Sequence, residues 1–376
     1  MGKENIILVI NPGSTHDEVS LFKGEEEIFH DSIKYSVAEI QPYEDKNVTS
    51  QYDFRKSRIK KALAEKGIDL NTIDAVIGRG GLLHPIPGGV LNVNEAMVDD
   101  LAEAKYGDHV SNLGAILARA VGNTFNKPAY IADSVVVDEM EPLARYSGMP
   151  ENPRVSIFHC LNQKRVARLA AAKLGKDYSE CSLIVMHAGG GISCGAHKNG
   201  KVIDVNNGLD GDGPFTPQRS GGVPAGGLAK LCFSGKYTKD DIKLKISRKG
   251  GLRAYLGTSD LISIDKYITG EPFTDEQLNT ANVTPEKAKE ILEAMSYQIA
   301  KEIGALAAVF KGKVDAIVLT GGVMYDKFVV EWIKERVEWI APIFIFPGGD
   351  EMRALRDAAN RALNGEEIPQ DYEPWT

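Results

Sequence analysis

Ile6-Ile-Leu-Val-Ile-Asn11-Pro-Gly13-Ser-Thr15 and Leu183-Ile-Val-Met-His187-Ala-Gly-Gly-Gly191-Ile-Ser193 share one layout. Each is an apolar run that ends on a polar residue, turns through glycine and hydroxyl residues, and continues into a second strand. The returning strands are expected at 18–22 and 194–197, and Asn199-Gly200 marks a further hairpin turn. Glycine lets backbone N–H groups approach an anion closely, and Ser or Thr hydroxyls add donors. Two such hairpins facing each other suit the two ends of a polyphosphate.

A second echo follows in the same order. Ile73-Asp-Ala-Val-Ile-Gly-Arg79-Gly80-Gly81 matches Val314-Asp-Ala-Ile-Val-Leu-Thr320-Gly321-Gly322, a buried strand running into a Gly-Gly turn. Two echoes in one order favour two homologous α/β halves over chance reuse of strand–glycine punctuation. At 376 residues the chain also exceeds one ordinary core. The expected first domain is 1–155 plus 352–376. The second is 156–351, with a glycine-rich elaboration at about 214–270.

The net charge of −8 argues against a nucleic-acid footprint. The basic cluster Arg55-Lys56-Ser57-Arg58-Ile59-Lys60-Lys61 reads as the wet face of a helix. Cys160, Cys181, Cys194 and Cys232 stand apart, without a Cys-x-x-Cys pair, so neither disulfide framework nor zinc site is expected. No apolar run is long enough to span a membrane, and the start leads into a strand without a signal peptide. Met1-Gly2 invites myristoylation, but Ile6 stands where Ser or Thr is wanted. A cytoplasmic protein is expected.

Helices are expected at 54–66, at 95–105 behind Asn94, at 110–121 and at 161–174. A long one follows Thr284-Pro285-Glu286, a hydroxyl cap with proline at the first position. Asp350 should cap the last, through residue 363, which is free to return to the first half. Residues 127–133 read as a strand ending in an acid, and 154–159 as a strand or strand end carrying His159.

Neither Gly-x-x-x-x-Gly-Lys-Ser/Thr nor, after the first strand, Gly-x-Gly-x-x-Gly occurs. Phosphate binding therefore falls to the hairpins and the Gly-Gly turns. Asn11, Arg79, Asp133, His159 and His187 sit at strand ends, where open α/β sheets place ligands, and Arg219 lies in a glycine-rich loop. Arginines and histidines for oxygens, an aspartate for Mg²⁺ or positioning, and glycines for close approach fit phosphoryl transfer. Each also has a plainer reading: Asn11 a turn residue, His159 a core histidine, His109 a helix N-terminal residue, Asp133 a cap, Arg219 a surface arginine. Convergence carries the site.

Taken together, Asn11-Pro-Gly-Ser-Thr15, Gly78-Arg-Gly-Gly-Leu-Leu-His-Pro-Ile-Pro-Gly-Gly89, Asp133-Ser, Phe158-His159, His187-Ala-Gly-Gly-Gly-Ile-Ser193, Arg219-Ser-Gly-Gly222 and Leu319-Thr-Gly-Gly-Val323 resemble the butyrate kinases. These lie beside acetate and propionate kinases in the superfamily of sugar kinases, heat-shock chaperones and actin. The resemblance implies two duplicated ribonuclease-H-like (actin-like ATPase) domains around a nucleotide cleft, with ATP and Mg²⁺ as cofactors. It implies a short-chain carboxylate substrate of the butyrate or isobutyrate class, and weakly suggests a homo-oligomer. Asn11 with Gly13, Ser14 and Thr15 would lie near the transferred phosphoryl. Arg79 and Arg219 would contact carboxylate and phosphoryl oxygens, and Asp133 would support Mg²⁺ through water or hold an arginine. His159 and His187 would flank the migrating group, with His109 nearby. Gly189, Gly190 and Gly191 would cradle the β/γ-phosphates, and Gly321 and Gly322 would sit under the adenosine. Glu351, or its neighbour Asp350, would help hold magnesium.

One position departs. Glu18 stands where such hairpins carry lysine, and a carboxylate facing phosphate is repulsive. Either it points away, the loop is displaced, or another cation substitutes. Two other functions stay open from the residues alone: a sugar or polyol kinase with Asp133 as general base, and a nucleotide-gated binding protein.

Overall fold

The computed structural model describes residues 4–44 and 46–375; Met1-Gly2, weighed above for acylation, lies outside the described residues. The chain divides into two compact units, Met1–Val137 with Asp350–Thr376, and Asp138–Gly349.

The first unit begins with a meander, β1 (Ile6–Pro12), β2 (His16–Lys23) and β3 (Glu26–Lys34). After a short helix α1 (Val37–Ile40) comes α2 (Tyr52–Glu65), then β4 (Ala75–Arg79), β5 (Val90–Asn92), α3 (Glu95–Ala102), α4 (Asn112–Phe125) and β6 (Ala129–Ala132). β1 pairs antiparallel with β2 and parallel with β4, and β4 pairs parallel with β6. Buried on both faces, β1 reads as the continuous apolar run that such a position requires. Leu8, Ile10 and Val19 pack with Ile59 and Leu63 of α2 and Leu113 and Leu117 of α4. A Cβ at Gly78 would lie 2.0 Å from the carbonyl of Gly114, so β4 and α4 meet backbone to backbone. That contact sets the depth at which Arg79 emerges.

The second unit opens with α5 (Cys160–Lys173) and the meander β7 (Ser182–Ala188), β8 (Ile192–Lys198) and β9 (Lys201–Val205). Asn199 (φ 52°) and Gly200 (φ 79°) make its second turn, the double left-handed geometry that Asn-Gly favours. Four helices follow, α6 (Ala225–Cys232), α7 (Lys239–Ser247), α8 (Gly251–Leu256) and α9 (Leu261–Thr269). The long α10 (Pro285–Val309), β10 (Ala316–Gly321), α11 (Lys327–Val337) and β11 (Ile343–Pro347) complete it. Ile291, Met295, Ile299 and Ile303 of α10 cover Ile184, Met186, Ile317 and Leu319. On the other sheet face, Val166 and Ala170 of α5 cover Leu183, Val185 and Val318. The chain then returns to the first unit with α12 (Glu351–Leu363), which packs on β1 and β4, and β12 (Gln370–Asp371) on the sheet edge.

The duplication is visible in topology. The first sheet contains β6-β4-β1-β2-β3 and the second is β11-β10-β7-β8-β9, the same three-stranded meander beside two parallel strands. Two expectations need correction. Residues 154–159 form no strand. Arg154 is held by side-chain bonds to Asp204 and to the carbonyls of Ala144 and Val205, and His159 is the N-cap of α5. The first unit also ends at Val137 rather than near 155, because the intervening chain bonds to the second meander. Glu141 N–H donates to Ile203 O at 2.9 Å, and Glu139 accepts from Val202 N–H at 2.8 Å. Among the described residues, no helix is long and apolar enough to cross a membrane.

Candidate active site

In the first unit the carboxyl ends of β1 and β4 bring Asn11 and Arg79 together, and the first turn of α12 adds Glu351. Asn11 Nδ2 donates to Glu351 Oε2 at 3.0 Å, and the Arg79 guanidinium forms an ion pair with the same oxygen. Arg79 also approaches Asn11 Oδ1 at 3.5 Å. About a third of each charged side chain is exposed, so the pair is worth roughly 0–1 kcal/mol and can yield to a ligand. Asp350 is occupied otherwise: it caps α12 by accepting from Arg353 N–H at 3.0 Å and pairs with the Arg353 side chain at 2.9 Å.

Asp133, just beyond β6, is buried in the left-handed region at φ 43°, unusual for a non-glycine residue. Gly89 holds it from both sides, its N–H donating to Asp133 Oδ1 at 2.8 Å and its carbonyl accepting from Asp133 N–H at 3.0 Å. His109 is exposed before α4, and its Nδ1 accepts from Ser111 N–H at 3.2 Å.

The first hairpin turns through Gly13, Ser14 and Thr15. Gly13 N–H bonds His16 O at 2.7 Å, and a Cβ on Gly13 would meet that oxygen at 2.8 Å. Ser14 and Thr15 are exposed at the tip. Behind it Arg55 is fully buried, donating to Gly13 O at 2.9 Å, paired with the buried Asp17 and lying over the Tyr35 ring. This corrects the wet-face reading of 55–61 for Arg55, which shares its helix face with Ile59 and Leu63. Burial raises the pKa of Asp17, against the pull of Arg55 and Tyr35. Glu18 pairs in register with Asn11, so the loop is not slipped and Glu18 shares the sheet face of Asn11. His16 Nε2 lies 3.9 Å from its carboxylate.

In the second unit His187 is the penultimate residue of β7 and the Gly189-Gly190-Gly191 turn follows Ala188, closed by Gly189 N–H to Gly191 O at 2.9 Å. Arg219 crosses this turn; a Cβ at Gly191 would fall 2.2 Å from its guanidinium, which donates to Gly208 O. Thr216 anchors the arginine loop, its hydroxyl donating to Gly190 O at 2.7 Å and accepting from Arg219 N–H at 2.8 Å. His159 stacks on His187 with ring centroids 3.9 Å apart and planes 10° apart. Gly321 has φ 96°, and a Cβ there would lie 2.1 Å from Ala188 O, so only glycine lets β10 end beside β7.

Beside the glycine turn opens a pocket of about 460 Å³, bordered by Gly189, Gly190, Gly322, Tyr325, Asp265 and Asp326. Sequence reasoning missed its two aspartates. Asp265 Oδ1 and Asp326 Oδ2 are buried and find no donor on another residue, and burial, with the charge and hydrogen bond of the neighbouring Asp326 carboxyl, pushes Asp265 up to about 7.

The family model described as the Acetokinase family matches residues 153–339. A protein named probable butyrate kinase from Elusimicrobium minutum is 51% identical over 370 residues, spanning 98% of this chain and all of its own. Butyrate kinase 2 of Clostridium acetobutylicum is 49% identical over 97% of this chain and 99% of its own. The chain belongs to the acetokinase family, with the butyrate kinases. Among solved structures of the family, acetate kinase from Porphyromonas gingivalis superposes with a TM-score of 0.73 at 19% identity, covering 96% of this chain and 100% of that one. Acetate kinase from Entamoeba histolytica gives 0.72 at 17%, covering 95% and 99%. The actin-like ATPase fold of the acetokinases is thus the fold of this chain.

Several polar residues of this acetokinase went unread in the sequence. Asn162 and Gln163 lie in the first turn of α5 and reach His187 and Ser193. His197 is fully buried on β8. Their signal was present: two adjacent amides three and four residues after His159, and a histidine in the returning strand behind Cys194-Gly-Ala.

Proposed function

We propose that this chain transfers the γ-phosphoryl group of ATP reversibly to butyrate or a branched short-chain relative, forming an acyl phosphate and ADP. The observation that carries it is Arg79, a guanidinium at a strand end that already pairs with a carboxylate while partly open to solvent. The near full-length identity to butyrate kinases supports the acyl class.

The acceptor needs no general base. A carboxylic acid with a pKa near that of Glu, about 4.3, is ionised at pH 7. Its oxygen attacks the γ-phosphorus in line, the bond to the β,γ-bridging oxygen breaks, and ADP departs without a covalent enzyme intermediate. The obstacle is anion–anion repulsion. Arg79 and Arg219 offset it, and His159 and His187 donate to the phosphoryl oxygens with His109 in a supporting place. The turn of Gly189, Gly190 and Gly191, closed by the Gly189 N–H, suits the β/γ-phosphates, as Gly13, Ser14 and Thr15 suit the phosphoryl in transit. Gly321 and Gly322 border the space suited to adenosine.

Magnesium fits the donor set. Mg²⁺ is usually held by one or two carboxylates, water and substrate phosphate rather than by a protein cage. Among the described residues no group of three or more His, Cys, Asp and Glu is arranged for a metal, while Asp133 and Glu351 offer carboxylate oxygens. Bound there, the ion would neutralise phosphate charge. A cytoplasmic location and self-association belong to the same proposal.

The test is ATP- and Mg²⁺-dependent acyl hydroxamate formation across acetate, propionate, butyrate, isobutyrate and valerate, with Arg79→Ala as control. The expected signal peaks at four or five carbons and falls at least about 10²-fold in the variant, the scale of one lost electrostatic stabiliser. No signal with any acid, or an unaffected variant, sinks the assignment.

A further inference from the structure

Behind the stacked imidazoles runs a chain of hydrogen-bonded polar side chains. His197 Nε2 lies 2.9 Å from Gln163 Oε1, and its Nδ1 lies 2.8 Å from Tyr178 OH. An amide oxygen only accepts, so His197 carries its proton on Nε2 and takes the tyrosine hydrogen on Nδ1. Burial agrees, holding the pKa of His197 well below the ordinary imidazole value, with Lys164 and Arg168 adding to the effect. Gln163 Nε2 then donates to Ser193 O at 2.9 Å and to Ser193 Oγ at 2.8 Å. The same Oγ takes the backbone N–H of His159 at 3.3 Å. With both lone pairs engaged, the serine hydrogen turns to His159 Nδ1, 2.8 Å away. His159 is left with its proton on Nε2.

A separate route reaches the second ring. The Thr320 hydroxyl donates to Gly348 O at 3.1 Å and accepts from Asn162 Nδ2 at 3.1 Å. The same amide nitrogen donates to His187 Nδ1 at 2.8 Å. His187 too is left as the Nε2–H tautomer, assigned from the network of donors and acceptors.

We propose that Asn162, Gln163, Ser193 and His197 are positioning residues that hold His159 and His187 as a stacked pair of Nε2–H donors. It rests on the kinase function proposed above. Two rings 3.9 Å apart would repel if both were charged. A proton on His159 Nδ1 would also put three donors on one serine oxygen and leave the hydroxyl hydrogen without an acceptor. In that tautomer each ring meets an approaching anion with Nε2–H rather than a bare nitrogen, so no proton has to relocate during transfer. Lys164, paired with Glu139 at 2.9 Å, and Arg168 are the charged groups that act on His197.

The test uses full-length protein with ¹⁵N-labelled histidine, its ring signals assigned by His159→Gln and His187→Gln. The wild type should show the Nε2–H pattern for both rings. Asn162→Asp, nearly isosteric, requires a donor from Nδ1 and should move His187 alone out of that pattern. Its kcat should fall about 10²-fold or more, the scale of a misplaced imidazole proton, with both KM values near wild type. Ser193→Ala should mix the tautomers of His159 and leave His187 unchanged. An Nδ1–H pattern for either ring in the wild type, or a wild-type kcat in Asn162→Asp, overturns the role. Should a variant fail to fold, the wild-type spectrum alone decides the tautomers. Both expected patterns in a wild type that makes no acyl phosphate sink the proposed function and the positioning role, while the tautomers stand.

Discussion

Arg79 and Arg55 each bond a residue of the first hairpin strand or its turn, yet their surroundings give them opposite duties. Arg79 is partly exposed and shares its carboxylate partner with an amide, so a ligand can replace that partner. Arg55 has no exposure at all and serves the hairpin from behind. The Asp265 and Asp326 pair is a third environment, two carboxylates facing each other on a pocket wall. Asp265 sits at about 7 in the fold against 3.8 for a free side chain, so the folded state binds a proton that the unfolded state has released between those values. Its contribution to stability is therefore full below about pH 4 and is lost as pH rises through 7. Relative to wild type, Asp265→Asn should gain in melting temperature on going from pH 5 to pH 8; parallel melting curves for the two proteins would refute this.

At the scale of the element, the first hairpin is held by an ion pair that burial makes costly to break. Removing one partner of a buried pair strands the other charge, at about 3–5 kcal/mol. Arg55→Ala should lower the unfolding free energy measured by urea titration by that much, whereas Arg55→Met with Asp17→Leu should recover most of the loss. Equal losses in the single and double variants would mean that packing, not charge, holds the hairpin. In the corresponding hairpin of the second unit, Gln163 and Asn206 bond the backbone of β8. The two hairpins share topology but are braced by different chemistry.

Across the whole molecule, each sheet has its own core, and the pocket beside the glycine turn is built entirely from the second unit. Nucleotide without acid should therefore slow hydrogen exchange at 189–191, 216–219, 259–265 and 321–326. Protection confined to the first unit would place the nucleotide elsewhere. Outside these two cores, α6 has no buried residue, so its apolar pattern is not explained by packing within the chain.

The repeated hairpins, the two Gly-Gly strand ends and the helix caps were legible because backbone rules are local. Asn94, Thr284 and Asp350 each accept from the N–H three residues on, as their positions before periodic apolar runs require. The polar residues at strand ends were legible too, since an open sheet exposes those ends whatever else the chain does. What local pattern does not carry is which charge meets which. Arg55 read as solvated because Asp17, its partner, lies 38 positions away on another element. Glu351 read as a metal ligand, and its bond to Arg79 appears only when α12 packs on the sheet that holds β4. The orientation of two histidine rings depends on a serine, two amides and a third histidine drawn from α5 and the second meander. Such pairings follow from long-range packing, where burial makes an unmatched polar group too costly to leave, and only the tertiary structure decided them.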